Sequence, residues 1–280
     1  MLAVVLIWGI NFSVTKGAFA TFPPLAFTAV RFAIASVVLV LLVRRLEGDA
    51  PLPDGARGRL IVLGVVGNTL YQIAFISGLA RTTASNSALI LAAMPPVTAV
   101  AAAALGVDPV RPRILAGVAI ASVGVALVIL AEGAGLAGGG LTGDLLSLAA
   151  VGCWAIYTIG LRRVPSEVSP LRVTSITTVA GLPGLVIAGA AELRQTDWGG
   201  VGASGWAALA YATIFSLLVA YWLWNRSVAV VGPSRTVIYM CLTPVVAVAG
   251  AALLLHEHPH PLQGAGAVLI LSGIILARRS

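Results

Sequence analysis

A succession of long, nearly uncharged stretches decides what this chain can fold into. Ten of them lie at residues 2–20, 24–43, 60–79, 84–106, 112–131, 144–163, 170–190, 204–225, 233–255 and 262–278. Each approaches the roughly 20 apolar residues that cross a bilayer as a helix. Hydrocarbon offers no partner to a backbone N–H or C=O, so each stretch must close its hydrogen bonds within itself. Only 10% of the residues are charged and 59% are hydrophobic, whereas a soluble domain carries about 25% charge. The expected fold is an all-α polytopic membrane protein of ten transmembrane helices. Pro24, Pro112 and Pro170 stand near helix starts, where a missing N–H costs least. The first span lacks a charged leader and an Ala-x-Ala cleavage site, so it reads as a retained helix rather than a signal peptide.

The ten spans fall into two related sets of five. Residues 96–105 and 244–253, shifted by 148, differ only at Thr98/Val246 and Ala102/Gly250. Agreement among Ala and Val says little alone, but other landmarks keep the spacing. Trp8 and Pro24 map onto Trp154 and Pro170 at a shift of 146, and Gly117 and Gly124 onto Gly266 and Gly273 at 149. A long internal period has to be read before any local feature. It divides the chain into residues 1–132 and 144–280, joined by a glycine-rich linker at 133–143. With the N-terminus inside, 13 of the 17 basic residues fall in inner loops, among them Arg44, Arg45, Arg162 and Arg163. Both termini are then cytoplasmic, in a bacterial inner membrane. Five is odd, so the second set enters the membrane upside down. Inverted repeats with a site between them are the plan of many secondary transporters. The net charge of +7 follows from the loop bias and is not a nucleic-acid footprint.

Three spans carry a polar and aromatic stripe at the i, i+3, i+4, i+7 spacing of one helix face. Span 1 has Trp8, Asn11, Phe12 and Thr15, span 3 has Asn68, Tyr71, Gln72 and Phe75, and span 6 has Trp154, Tyr157 and Thr158. Span 8 adds Tyr211, Phe215, Ser216, Tyr221 and Trp222, and span 9 adds Tyr239 and Thr243. Such faces serve either as packing between helices or as the wall of a wet cavity. Taken together they suit a cavity for a zwitterionic or cationic organic solute. Met94 is placed on the same wall, beside Pro95-Pro96. These prolines and Pro244 sit within spans 4 and 9, where each removes a helical hydrogen bond and frees a carbonyl upstream. The two readings are a curved helix, or a hinge and carbonyl-lined patch kept by both repeats.

Arg31 lies about 10 Å into span 2 at roughly 1.5 Å per residue. It either snorkels to outer head groups or serves as a gate or counter-charge to a solute carboxylate. His256-Glu-His-Pro-His260 has alternate imidazoles but no second ligand cluster, and reads as a solvated turn where Glu257 helps end span 9. Cys153 and Cys241 fall inside spans as packing residues. Spans 5 and 10, with small residues at Gly117, Ala121, Gly124, Gly266 and Gly273, are scaffold. No nucleotide-binding loop, triad or metal cluster is present in the sequence, so neither cofactor nor catalytic residue is expected.

Trp8-Gly-x-Asn11-Phe12, Phe22-Pro-Pro24 and Arg31-Phe32 resemble the opening of the EamA domain of the drug/metabolite transporter superfamily, as do Ala84-Ser-Asn-Ser-Ala-Leu and Met94-Pro-Pro-Val97. Ala220-Tyr-Trp-Leu-Trp-Asn225, Pro244-Val245 and Leu255-His-Glu257 are similar to a second copy. Asp108 stands where the family usually has Glu, and His256 where Gly is common. The resemblance implies a carrier that works by alternating access and suffices as a monomer in the bilayer. Its solute would be a small metabolite, in the manner of the aromatic amino-acid and methyl-viologen exporter branch. Organic cations, sugar or nucleoside derivatives, and a membrane-embedded enzyme or binding protein are the alternatives.

Overall fold

A computed structural model describes residues 1–48, 51–104, 112–131, 140–231, 236, 239–258 and 260–278. Among these residues the chain is helical, with no strand. The helices are α1 (Leu2–Ala18), α2 (Pro24–Leu46), α3 (Ala56–Arg81), α4 (Ala84–Leu91 and Met94–Ala104), α5 (Pro112–Ala131), α6 (Gly140–Arg163), α7 (Pro170–Ala188), α8 (Ala203–Val231), α9 (Thr243–Leu254, after the 3₁₀ turn Tyr239–Leu242) and α10 (Pro261–Arg278). Helices α2, α3, α6, α7 and α8 are long and apolar enough to cross a membrane, and shorter apolar helices accompany them. The molecule is a multi-pass membrane protein. Asp108 and residues 132–139 lie outside the described residues, and residues 140–143, expected as the end of the linker, are the first turn of α6.

Packing follows the repeat. Helix α1 lies on α9 as α6 lies on α4, and α3 lies on α6 as α1 lies on α8. The pairs α2–α7 and α5–α10 join a helix to its own image. In the latter pair, glycines let two backbones approach. A Cβ on Gly124 would stand 2.7 Å from the Gly266 carbonyl, and one on Gly266 would stand 2.6 Å from the Gly124 carbonyl. Gly273 meets Gly117 in the same way, so early residues of α5 touch late residues of α10 and the two helices run antiparallel.

Regularity is broken at matched places. Residues Val65–Leu70 of α3 and Ala212–Val219 of α8 are π-helical. The shift of 148 carries the first segment onto positions 213–218, within the second. Each π turn adds a residue to the helical repeat and turns later side chains to a new face.

Helix ends are held by charged side chains from distant parts of the chain. Glu192 accepts from the backbone N–H of Leu25 (2.6 Å) and Ala26 (3.0 Å), capping α2. At the opposite end of this pair, Glu47 accepts from Ser169 Oγ and pairs with Arg172 at 3.4 Å, beside the start of α7. Lys16 donates to the carbonyls of Leu79 (2.8 Å) and Thr82 (2.7 Å), where α3 exposes unpaired oxygens and the negative end of its dipole. The backbone N–H of Glu257 donates to the Ala251 carbonyl at 3.2 Å and helps end α9, while its carboxylate acts on another helix. It accepts from Ala84 N (2.8 Å), Ser85 N (3.0 Å) and Ser85 Oγ (2.7 Å), so it caps α4 from the end of α9. The turn before it is left-handed, with His256 at φ 56°. That conformation favours Gly, which accounts for the glycine common there in the resembling family.

Candidate functional site

The largest buried cluster gathers side chains of both halves around Trp154, Trp224, Tyr157 and Tyr221. Beside it is a cavity whose wall is built from seven helices. Trp8, Asn11 and Phe12 come from α1, Arg31 from α2, and Tyr71, Gln72 and Phe75 from α3. Helix α4 gives Ala88, Leu91, Ala92 and Met94, and α6 gives Trp154. Ser216 and Tyr221 of α8 close it with Met240, Thr243 and Pro244 of the α9 segment. No lining residue comes from α5 or α10. The cavity volume is about 50 Å³, room for a few waters, so an organic solute enters only when the walls part.

Rings make most of the surface. Trp8 and Trp154 meet edge to face with centroids 5.6 Å apart, and Trp8 meets Tyr221 likewise at 5.8 Å. Tyr71 lies 4.8 Å from Trp154 and stacks on Phe75 at 5.7 Å, and Phe75 meets Phe12 edge-on at 5.4 Å. Trp8 is anchored by its Nε1–H, which donates to the Ser216 carbonyl at 3.1 Å inside the α8 π segment. Such a wall offers apolar area and negative ring faces together.

The polar groups form a line across three helices. Arg31 is 1% exposed. Its guanidinium donates to Gln72 Oε1 at 2.6 Å, and Gln72 Nε2 donates to the Tyr221 hydroxyl at 3.1 Å. Phe27 and Phe32 face the guanidinium at 5.6 and 5.8 Å. Arg31 is enclosed within the bundle and bound to α3, so it does not snorkel to a head group. Asn11 Oδ1, Trp154 Nε1–H and Arg31 Nε–H are buried without partners.

Prolines shape the rest of the wall. Helix α4 breaks at Ala92–Ala93 and resumes at Met94. Pro95 and Pro96 have no N–H to give the carbonyls four residues back, those of Leu91 and Ala92. Pro244 withholds one from Met240 in the same way. Leu91, Ala92 and Met240 all line the cavity, and Ala92 and Met240 are repeat images at the shift of 148. The side chains of Pro95 and Pro96 lie outside the described residues.

Eight residues of the expected stripes stand outside the cavity lining, among them Thr15 and Thr158, which are fully buried. Asn68 is buried in the α3 π segment against Gly181 of α7, and neither end of its amide finds a partner. The α-helical spacing that grouped it with Tyr71, Gln72 and Phe75 does not hold through a π turn. Tyr157 lies behind Trp154 (ring centroids 5.2 Å) and donates to Asn225 Oδ1 at 3.1 Å. Tyr211 donates to the Ile7 carbonyl at 3.0 Å, while Phe215 is 46% exposed on the outside of the bundle. Trp222 lies under Arg226 at 5.5 Å, and Tyr239 is 43% exposed. Ser216 and Tyr221 do face the cavity. They are five residues apart, a spacing that puts two side chains on different faces of a regular α-helix, and the π turns at Ala212–Val219 bring them to one face.

Both ends of the cavity are closed by polar contacts between helices. Toward the loops after α1 and α3, Asp144 of α6 accepts from Thr82 Oγ1 (2.7 Å) and Asn86 Nδ2 (2.9 Å). Asn86 Oδ1 accepts from Gln263 of α10 at 3.1 Å, and Ser87 shares a hydrogen bond with Ser147 at 3.1 Å. The Ala84-Ser-Asn-Ser run thus joins α4 to α6, α10 and the end of α9. Toward the arginine-rich loops, a second opening of about 430 Å³ is lined by Arg162, Ser166, Val173 and Asn225. Asn225 donates to Thr174 Oγ1 at 2.7 Å, and Tyr157 with Trp154 separates this opening from the cavity.

Comparison with known proteins fits this architecture. The model of the EamA-like transporter family matches residues 1–130 and again 141–279. The uncharacterized transporter YyaM of Bacillus subtilis is 28% identical over 96% of this chain and 89% of its own. Probable amino-acid metabolite efflux pumps of Salmonella typhimurium and Escherichia coli are 28% and 27% identical, over 98% of this chain and 92% of theirs. A solved crystal structure shares the fold at a TM-score of 0.66 and 21% identity, covering 99% of this chain and 96% of its own. The relatives are named as transporters and efflux pumps, not enzymes. With one transporter domain matched twice from end to end, the chain belongs to the EamA-like transporter family.

Proposed function

We propose that this protein is a secondary exporter of amino acids or closely related small metabolites, working by alternating access in a bacterial inner membrane. The observation that carries the reading is the aromatic cavity at the junction of the two halves, where the repeat images Trp8 and Trp154 touch. The two halves act as inverted repeats, which the antiparallel, self-matched α5–α10 pair supports. The arginine-rich loops and both termini face the cytoplasm. Solute enters from the opening at Asn225 and leaves past the contacts of Asp144, Asn86 and Ser87. The broken segments of α4 and α9, set by Pro95, Pro96 and Pro244, are the hinges. Amino acids are favoured by the relatives named as amino-acid metabolite efflux pumps. A monomer carries both repeats and suffices.

Efflux of radiolabelled Thr, Met and Phe from proteoliposomes, with and without a pH gradient, tests this reading. Saturable efflux of one of them above empty vesicles is expected, and its response to the gradient separates proton antiport from facilitated diffusion. Movement of methyl viologen with no amino-acid flux would move the solute class to organic cations.

A further inference from the structure

We propose that Arg31 is the docking point for a carboxylate on the transported solute, so that the cavity takes zwitterionic or anionic compounds and rejects purely cationic ones. This rests on the transport reading and narrows its solute.

The argument begins with charge. Arg31 stays ionised in any protein setting, and here it is 1% exposed. Its guanidinium touches the neutral Gln72 oxygen and two ring faces. Among the described residues, none that lines the cavity is Asp or Glu. Asp144 is committed to Thr82 and Asn86 at the end of the bundle. A buried cation without a counter-ion is strongly unfavourable, and a solute anion supplies the missing partner at each turnover.

Hydrogen-bonding capacity points the same way. Arg31 Nε–H and Trp154 Nε1–H have no acceptor. The Tyr221 hydroxyl accepts from Gln72, which leaves its own hydrogen to give. Among the buried side-chain atoms of the wall, these three donors stand against one unpaired acceptor, Asn11 Oδ1, and the other acceptors there are the main-chain carbonyls freed by the prolines. A carboxylate only accepts, and a guanidinium fork is its best partner. The single amide oxygen and the tryptophan faces suit an ammonium group on the same solute.

Binding to the purified chain in detergent, read by tryptophan fluorescence, tests this with matched pairs. The ligands are the L-amino acids, their decarboxylated amines such as phenethylamine, and 3-phenylpropionate. At least one acid is expected to bind roughly 100-fold more tightly than its amine. Arg31→Gln is expected to abolish that preference without lowering the melting temperature, because a buried uncompensated charge has gone. A purely structural arginine would lower it. Tyr221→Phe, which keeps the charge, is expected to weaken the acid about tenfold. The proposal is overturned if the amine binds as well as the acid, if Arg31→Gln leaves acid affinity within twofold, or if no carboxylate binds. Flux of methyl viologen without carboxylate binding would reject the anchor and keep the transport reading. Arginine-dependent carboxylate binding without flux would do the reverse.

Discussion

The indole of Trp8 meets the indole of Trp154 edge to face at 5.6 Å, and the two residues hold the same place in the two halves of the chain. Trp154 of α6 belongs to the largest buried cluster, Trp8 of α1 packs against that cluster, and both line the cavity. The seam between the halves is therefore also a wall of the cavity, and a change at either ring alters both the packing and the cavity surface.

Trp8→Ala and Trp154→Ala are each expected to lower efflux at sub-saturating solute by at least tenfold, since each removes a large ring face from the wall. Trp8→Phe keeps a ring but loses the hydrogen bond to the Ser216 carbonyl. It is expected to retain more flux than Trp8→Ala. Initial rates across a range of solute concentrations separate a weaker KM from a slower turnover.

The α5–α10 seam gives the opposite pattern. A Cβ at Gly124 or Gly266 would press into the facing backbone within 3 Å. Gly124→Leu is expected to lower stability by about 1–3 kcal/mol through overpacking, with the KM of the folded fraction unchanged. Thermal unfolding in detergent alongside flux per folded molecule checks it.

His256 and Glu257 separate strain from capping. His256→Gly is expected to stabilise the chain by about 1 kcal/mol, because the left-handed φ of 56° costs a side chain but not glycine. Glu257→Gln weakens the cap on α4 and is expected to cost about 1 kcal/mol. Faster amide exchange at Ala84 and Ser85 would locate the loss at that helix start.

Much of this was legible in the residues, and the exceptions have physical causes of different kinds. Trp8, Asn11 and Phe12, and Tyr71, Gln72 and Phe75, lie in regular helix, where α-helical spacing holds and each set lines the cavity. Asn68 lies within a π segment and Phe215 within its counterpart, where that spacing fails. No local pattern in the chain marks the change of period. Glu257 and Asp144 look like ordinary charges near helix ends. Their partners are 173 and 58 to 62 residues away, and only packing reveals them. Arg31 was recognisable as an arginine too deep for a loop, but the neutrality of its surroundings was not.

The most direct test of alternating access is a reversible lock on the end that must open. Ser87 and Ser147 are both buried and share a hydrogen bond at 3.1 Å between α4 and α6. With Cys153 and Cys241 replaced by Ala, Ser87→Cys and Ser147→Cys place two thiols there. Oxidation is expected to stop efflux from proteoliposomes, and dithiothreitol to restore it. Efflux that continues at its full rate in protein shown to be fully cross-linked would contradict an exit between these helices and the alternating-access account built on it.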